Sequence, residues 1–448
     1  MCQDEYVFPS PSRITEFAGT ASGISGLLLL GLVSGADLST VTIDALSVHV
    51  AFFEGAVSVG VFTAFVLVSG AYVVRGVWRE EPAASLGDGP DVCAIVPAYR
   101  DAAVVGGCVE SLLASDYGSV AVSVVVEPDD PRTRDRAEAL AASHDDVRCL
   151  VNADPGSKAG AINHAVEASD ADYLAVFDAD EEVSPGFLPA AMAELLADAE
   201  VFQGRRIPRP TGVVETLAYC ERIVVQTGYA AGELVGFTHC GSSSTAFTRA
   251  AFETVDGYDD KLTEDIDFSH KCHRAGLDVT RRRDVANTME APHTLRDLWG
   301  QRKRWRIGHV EVLDGQLRET ATGGFGAGDV RSIGRAAGAV SAGDVRSIGR
   351  AAGAVGAGAF LLVFSTHVLR LTHQGIESAF LVPYAAVLCV VGGVWIRDHL
   401  GGRVRRPGPA ILLVPLAYVG HGVLTVKALL EYYLTWEGEW YRVSKVGA

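Results

Sequence analysis

The chain has 448 residues, 48% of them hydrophobic, and a net charge of −17. That length accommodates one large catalytic domain plus a membrane region, and the positive mean hydropathy points to membrane spans rather than a purely soluble enzyme. Between Asp88 and Val310 there are 37 acidic and 22 basic residues, so this segment carries nearly all of the negative excess; no basic stripe is large enough to neutralise several phosphates, which disfavours nucleic acid as a partner.

Only six residues are Lys and Arg dominates the bases, a usage that fits a salt-adapted cytoplasm in which surface carboxylates keep a domain hydrated. Eight Cys occur with no C-x-x-C pair and no His spacing suited to zinc, so reduced thiols on a cytosolic face are expected rather than a disulfide framework. Residues 1–12 have no basic n-region and are Pro-rich, which does not match a cleavable signal peptide.

In chain order, the first elements are two apolar stretches, Phe17–Ala36 and His49–Val74, long enough to cross a membrane. An alternating α/β pattern follows. Val92–Val96 reads as a strand running into Pro97-Ala98-Tyr99-Arg100, and Val104–Ser115 has helical spacing. Val120–Val126 is a second buried strand, with a helix over Thr133–Ser143, a strand at Val147–Val151 and a helix at Ala159–Glu167. Tyr173–Phe177 is a further strand, and it delivers Asp178 at its carboxyl end. Such alternation implies a mainly parallel sheet with ligands at the carboxyl ends of its strands. No Gly-rich fingerprint follows the first strand, which disfavours a dinucleotide enzyme.

Downstream, Ala327–Val340 recurs identically as Ala342–Val355 with a period of 15. Two short copies do not make a solenoid; one copy can form an interfacial helix and the other a tolerated duplication in a linker. Three more apolar stretches, Ala352–Leu369, Ala379–Ile396 and Ala410–Leu430, complete five expected spans. Arg75 and Arg79, the arginines between Arg331 and Arg350, and Arg397, Arg403, Arg405 and Arg406 all fall on one side if residues 80–350 are cytoplasmic. The expected organisation is therefore two N-terminal helices (1–80), a catalytic domain (88–310), an interfacial or linker region with the repeat (311–351) and three C-terminal helices with a tail (352–448).

Three motifs lie in order on this frame: Asp178-Ala179-Asp180 at a strand end, Thr263-Glu264-Asp265, and Gln301-Arg302-Lys303-Arg304-Trp305 just before the C-terminal spans. With Lys158-Ala159-Gly160-Ala161-Ile162-Asn163 and the small-residue segment Gly241–Phe247, they resemble the inverting family 2 glycosyltransferases. Within that family they resemble the membrane-embedded polysaccharide synthases of the cellulose, hyaluronan and poly-N-acetylglucosamine type. The resemblance implies an α/β nucleotide-sugar-binding domain of GT-A type flanked by transmembrane helices. Its partners would be a nucleotide-sugar donor of the UDP type, a polysaccharide or lipid-linked acceptor, and membrane lipid.

The chemistry of such a transfer assigns roles. A departing diphosphate is neutralised by Mg2+ or Mn2+ on hard oxygen ligands, and alternate residues at a strand end, Asp178 and Asp180, can turn toward one ion. By resemblance Lys158 lies near the donor diphosphate, while Glu181 and Glu182 face solvent or stand behind the ligands. Asp265, at a helix start, matches the family's general base and also suits the helix dipole. Gln301, Arg304 and Trp305 share one helical face: Arg304 as a forked donor to diphosphate, Trp305 as a platform for a sugar ring, and Gln301 for its hydroxyls. Arg302, Lys303 and Arg306 read as the basic face of a membrane-interface helix. Pro97, Tyr99 and Glu264 complete the expected substrate-binding set. Where the family has Asp-Asp-Gly-Ser after the second strand, this chain has Glu127-Pro128-Asp129-Asp130, so Glu127 is the positional match to the base-contacting acid and Asp129 the alternative. His293 reads as a structural histidine ahead of a third metal ligand.

Overall fold

The computed structural model describes residues 44–79, 86–321, 342–405, 408–436, 438 and 445. The expected span Phe17–Ala36 and the first repeat copy, Ala327–Val340, lie outside these residues.

A long helix, α1 (Asp44–Trp78), leads into an eight-stranded sheet. Its order is β3 (Val147–Val151), β2 (Val120–Val126), β1 (Val92–Ala98), β4 (Tyr173–Val176), β7 (Thr245–Thr248), β6 (Val201–Pro208), β8 (Val279–Met289) and β5 (Glu181–Glu182). Strands β3, β2, β1 and β4 run parallel, β7 is antiparallel to both β4 and β6, and β6 pairs parallel with β8. The parallel strands are apolar on both sides because helices cover both faces. Val92, Ala94, Val96, Val122, Val124 and Val126 pack with α2 (Val105–Leu113) and α5 (Phe187–Ala197). Their alternates Cys93, Ile95, Val125, Leu174 and Val176 pack with α4 (Lys158–Glu167) and, beyond it, α7 (Arg249–Thr254) and α8 (Glu264–Ala275).

Two helices begin earlier than their apolar periodicity indicates, because capping rather than burial sets their starts. In α3 (Pro131–Ser143) Asp130 accepts from the Thr133 amide at 3.3 Å, with Pro131 at the first helical position. In α4 Ser157 accepts from the Gly160 amide at 3.0 Å, which brings Lys158 into the first turn.

The remaining helices are α6 (Val213–Leu234), α9 (Leu295–Ala321), α10 (Ala342–His373), α11 (Ser378–Leu400) and α12 (Val414–Leu434). Among the described residues three helical segments are long and apolar enough to cross a membrane: Gly55–Trp78, Ser347–His373 and Ser378–Leu400. They contain the expected spans His49–Val74 (in its larger part), Ala352–Leu369 and Ala379–Ile396. The stretch Ala410–Leu430 instead starts as a 3-10 turn, Pro409–Leu413, before α12. The second repeat copy forms the start of α10, continuous with its apolar segment, and α9 runs past position 310 without a break.

One buried ion pair joins the sheet to these helices. Arg205 on β6 donates from both terminal nitrogens to Asp398 in the last turn of α11, with Nη1–Oδ2 at 3.0 Å, and its Nε donates to the Arg283 carbonyl. Tyr219 on α6 donates to the same carboxylate at 2.8 Å. Asp398 has no exposure, so every lone pair must be satisfied within the protein. Replacing Asp398 with Ala is expected to cost about 3–5 kcal/mol, because it strands a buried guanidinium; thermal unfolding of the detergent-solubilised protein measures it, and Tyr219→Phe, which leaves the pair intact, should cost about 1 kcal/mol.

Candidate active site

The carboxyl ends of β1, β2 and β4 open onto a crevice lined by acids. Asp178 follows β4 and is taken by two cations: Lys158 Nζ lies 2.5 Å from Oδ1 and Arg206 Nη1 3.1 Å from Oδ2. Burial alone would raise its pKa, but Lys158 and then Arg206 hold the carboxyl well below the usual carboxylate range. Lys158 also donates to Ser242 Oγ at 3.0 Å and stands 4.0 Å from Glu264. It is a member of the crevice and not a solvated loop lysine.

Asp180, two residues on, is buried and faces a different cation. Lys445 Nζ lies 3.2 Å from Asp180 Oδ1 and 3.1 Å from Asp101 Oδ1. Asp178 is thus paired with Lys158 and Arg206, while Asp101 stands beside Asp180 at Lys445. Asp101 follows Arg100, whose φ of 56° turns the chain back after β1. Burial above all raises the Asp180 pKa, against the pull of Lys445. Two hard carboxylates already converging on one positive charge fit Mg2+ or Mn2+. Among the described residues no three His, Cys, Asp or Glu side chains form a ready-made cage, so such an ion would complete its shell with donor phosphates and water, as Mg2+ commonly does.

Glu181 is not solvent-facing. It is 1% exposed and accepts from Ser243 and Ser244, with the Ser244 bond at 2.6 Å, while Asn287 donates to Ser244 at 2.9 Å. Burial and the neighbouring Asp178 push its carboxyl up to about 7. Glu182 is exposed. Ser243 also accepts from the Asp178 amide at 2.9 Å, so the small-residue segment acts as a scaffold for the acidic turn. Gly241 fits closely there: its amide donates to Gln203 Oε1 at 2.5 Å, and a Cβ would meet that oxygen at 3.2 Å.

Glu264 and Asp265 occupy the first turn of α8. Glu264 accepts from Ser242 at 2.7 Å, and burial raises its pKa although Lys158 opposes this. Asp265 is half-buried and accepts at 2.9 Å from the Ile266 amide. Arg304, on α9, is half-buried, and its charge interacts with Glu264, Asp265 and Asp178. The third motif thus reaches the same crevice.

Its neighbours differ from expectation. Arg302 is 5% exposed and bound to Glu221 of α6, Lys303 pairs with Glu431 at 3.3 Å, and Arg306 contacts His421 at 3.0 Å. Arg302 is buried and Lys303 and Arg306 are half-buried against α6 and α12, because α9 packs between them. Gln301 accepts from Arg302. The guanidinium groups of Arg302 and Arg222 lie over the Trp305 ring, 4.1 and 5.2 Å from its centroid, so the indole is a cation–π partner.

At the other motif, Glu127 is buried and accepts from Asn152 at 2.7 Å and the Gly156 amide at 2.9 Å, which fixes the loop before α4. Tyr99, beside Pro97, donates to Asp129 at 3.1 Å at the open end of β1 and β2. His293 pairs with Glu215 at 2.8 Å.

The helices carrying the second and third motifs are in direct contact. Gly308 of α9 faces Thr263, and a Cβ there would sit 2.3 Å from Thr263 Cγ2; the Leu262 amide donates to Glu311 at 2.9 Å. Gly308→Ala is expected to destabilise the protein by about 1–3 kcal/mol through overpacking and to lower transfer by displacing Asp265 from Arg304. Thermal unfolding read beside initial rates checks both.

Residues 90–308 match the family described as "Glycosyltransferase like family 2", and the chain carries a family 2 glycosyltransferase domain on a GT-A-like fold. The probable glycosyltransferase YdaM of Bacillus subtilis (strain 168) is 24% identical over 248 residues, covering 53% of this chain and 58% of that protein. A poly-beta-1,6-N-acetyl-D-glucosamine synthase of Staphylococcus epidermidis is 23% identical (49% and 54% covered), and the beta-monoglucosyldiacylglycerol synthase of Synechocystis sp. 26% (49% and 48%). The chain thus spans about half the length of these curated relatives. Among solved structures, mannosyltransferase PcManGT from Pyrobaculum calidifontis, in complex with GDP-Man and Mn2+, aligns at a TM-score of 0.52 and 16% identity over 85% of this chain and 98% of that one.

Proposed function

We propose that this chain is a membrane glycosyltransferase that moves a sugar, with inversion, from a nucleotide-diphosphate donor of the UDP type to an acceptor presented at the membrane. The observation that carries the reading is the convergence of Lys158, Asp178, Asp180, Glu264, Asp265 and Arg304 on one crevice at the carboxyl edge of the sheet. Asp265 removes the proton from the acceptor hydroxyl as its oxygen attacks the anomeric carbon, and the bond from that carbon to the diphosphate breaks, its electron pair leaving with the nucleotide. A single displacement of this kind inverts the centre. Lys158 and Arg304 bind and orient the diphosphate. Asp178 and Asp180, with Asp101 beside them, would hold Mg2+ or Mn2+, which when bound supplies charge neutralisation for the leaving group. Pro97, Tyr99 and Glu127, at the ends of β1 and β2, border the space for the nucleobase.

The poly-N-acetylglucosamine synthase relatives support extension of a polysaccharide. The three apolar helices and the arginines at their ends, Arg75 and Arg397, support a multi-pass protein with its catalytic domain on the cytoplasmic side. A single transfer to a lipid-linked acceptor is the second reading, favoured by an arginine-lined pocket beside Trp305.

Asp265→Asn is expected to lower kcat by about 10²–10⁴-fold while donor binding persists, and chelator should abolish transfer until Mn2+ or Mg2+ is restored. Incubating membranes with labelled UDP-sugars and sizing the product separates polymer from a one-sugar lipid. Wild-type rates in Asp265→Asn, or full activity in chelator, would overturn the assignment.

A further inference from the structure

Beside the crevice, β6, β8 and α6 enclose a cavity of about 30 Å3. Its wall is built largely from guanidinium groups: Arg206, Arg222, Arg281 and Arg283, with Tyr229 and Gln226 between them. Their negative partners are too few. Arg281 and Arg283 share one carboxylate, Glu233, at 3.5 and 2.7 Å, and Arg206 shares Asp178 with Lys158. Among the described residues Arg222 has no carboxylate within ion-pair distance; it rests on the Trp305 ring, and burial with the repulsion of Arg206 pushes it down to about 10. The Nε atom of Arg283 has no hydrogen-bond partner. Partly desolvated cations in excess of their counter-ions are unfavourable unless an anion joins them, and the guanidinium fork matches phosphate oxygens.

We infer that this pocket binds the phosphate of an anionic lipid acceptor, an inference that rests on the glycosyltransferase reading and names the acceptor class for it. A cavity of about 30 Å3 is far smaller than a sugar ring and suits a compact oxyanion. A lipid is the source because the pocket is built against an apolar helix. Arg283 lies over the ring of Tyr72 on α1, 5.0 Å from its centroid, and a Cβ on Gly76 would meet Arg283 Cδ at 3.0 Å. Both residues belong to the apolar segment Gly55–Trp78. Arg222, on Trp305, places the same anion next to the motif that ends at the acceptor side.

The test uses the purified full chain in detergent, with binding measured calorimetrically for farnesyl phosphate, farnesol, inorganic phosphate and UDP. Farnesyl phosphate should bind the wild type, and Arg222→Gln should weaken it by about tenfold or more through loss of the charged fork, with Arg222→Lys intermediate and UDP binding unchanged in both. Should Arg222→Gln not fold, Gln226→Glu carries the comparison, since a carboxylate in the pocket should weaken farnesyl phosphate to a similar extent. Equal binding of farnesol, inorganic phosphate binding as tightly as the lipid phosphate, or no effect of these variants overturns the inference. Loss of UDP binding in Arg222→Gln would also overturn it, by assigning the pocket to the donor. Failure of the wild type to bind UDP strikes the donor reading alone and leaves the anion site to be judged on its own arms.

Discussion

Five carboxylates crowd the carboxyl edge of the sheet, and the disposal of their charge organises the rest of the molecule. Asp178, Asp180, Glu181, Glu264 and Asp265 cannot all remain ionised together in a half-buried crevice without cations. Lys158 and Arg206 neutralise Asp178, Lys445 stands between Asp180 and Asp101, and Arg304 faces Glu264 and Asp265. Glu181 follows another course: two serines donate to it while burial raises its pKa. A site built in this way is electrostatically prepared for a ligand that brings both negative phosphates and a divalent ion.

The same logic is repeated, with opposite excess, on the far side of Arg206. There guanidinium groups outnumber acids, and the two regions meet at Arg206, whose contact with Asp178 joins them. The sheet is held to the apolar helices by the Arg205–Asp398 pair, adjacent in sequence to this junction. Consecutive arginines on β6 therefore serve attachment and chemistry in turn, because successive strand residues face opposite sides of the sheet.

Much of the sheet was legible in the sequence. The run Val120–Val126 is mostly β-branched and buried from Val122 onward, so composition marks it, whereas Val147–Val151 is an edge strand of which only Val147 is buried. The three motifs were legible too, because acids at strand and helix ends and an Arg-Trp pair are uncommon in apolar surroundings. Other members of the site were not. Asp101 and Lys445 are 344 positions apart, and nothing local indicates that one ammonium meets both Asp101 and Asp180. Arg206 and Arg222 sit in a strand and a helix whose neighbours are apolar; a charged residue inside a buried strand was the available signal. Arg302, Lys303 and Arg306 read as a surface stripe because helical periodicity cannot tell solvent from a second helix carrying Glu221, Glu431 and His421.

By itself the sequence determined what depends on near neighbours: which segments are strands, helices or long apolar helices, and which short motifs supply carboxylate, amine and indole. Only the tertiary structure decided which cation each carboxylate meets, that Asp101 stands beside Asp180 at Lys445, and that Trp305 lies under two arginines. The reason is physical. Strand and helix formation follow from local sterics and hydrophobic period, whereas charge pairing depends on distances of a few ångströms between residues that the chain brings together only when the sheet closes and α9 docks onto α8 and α12.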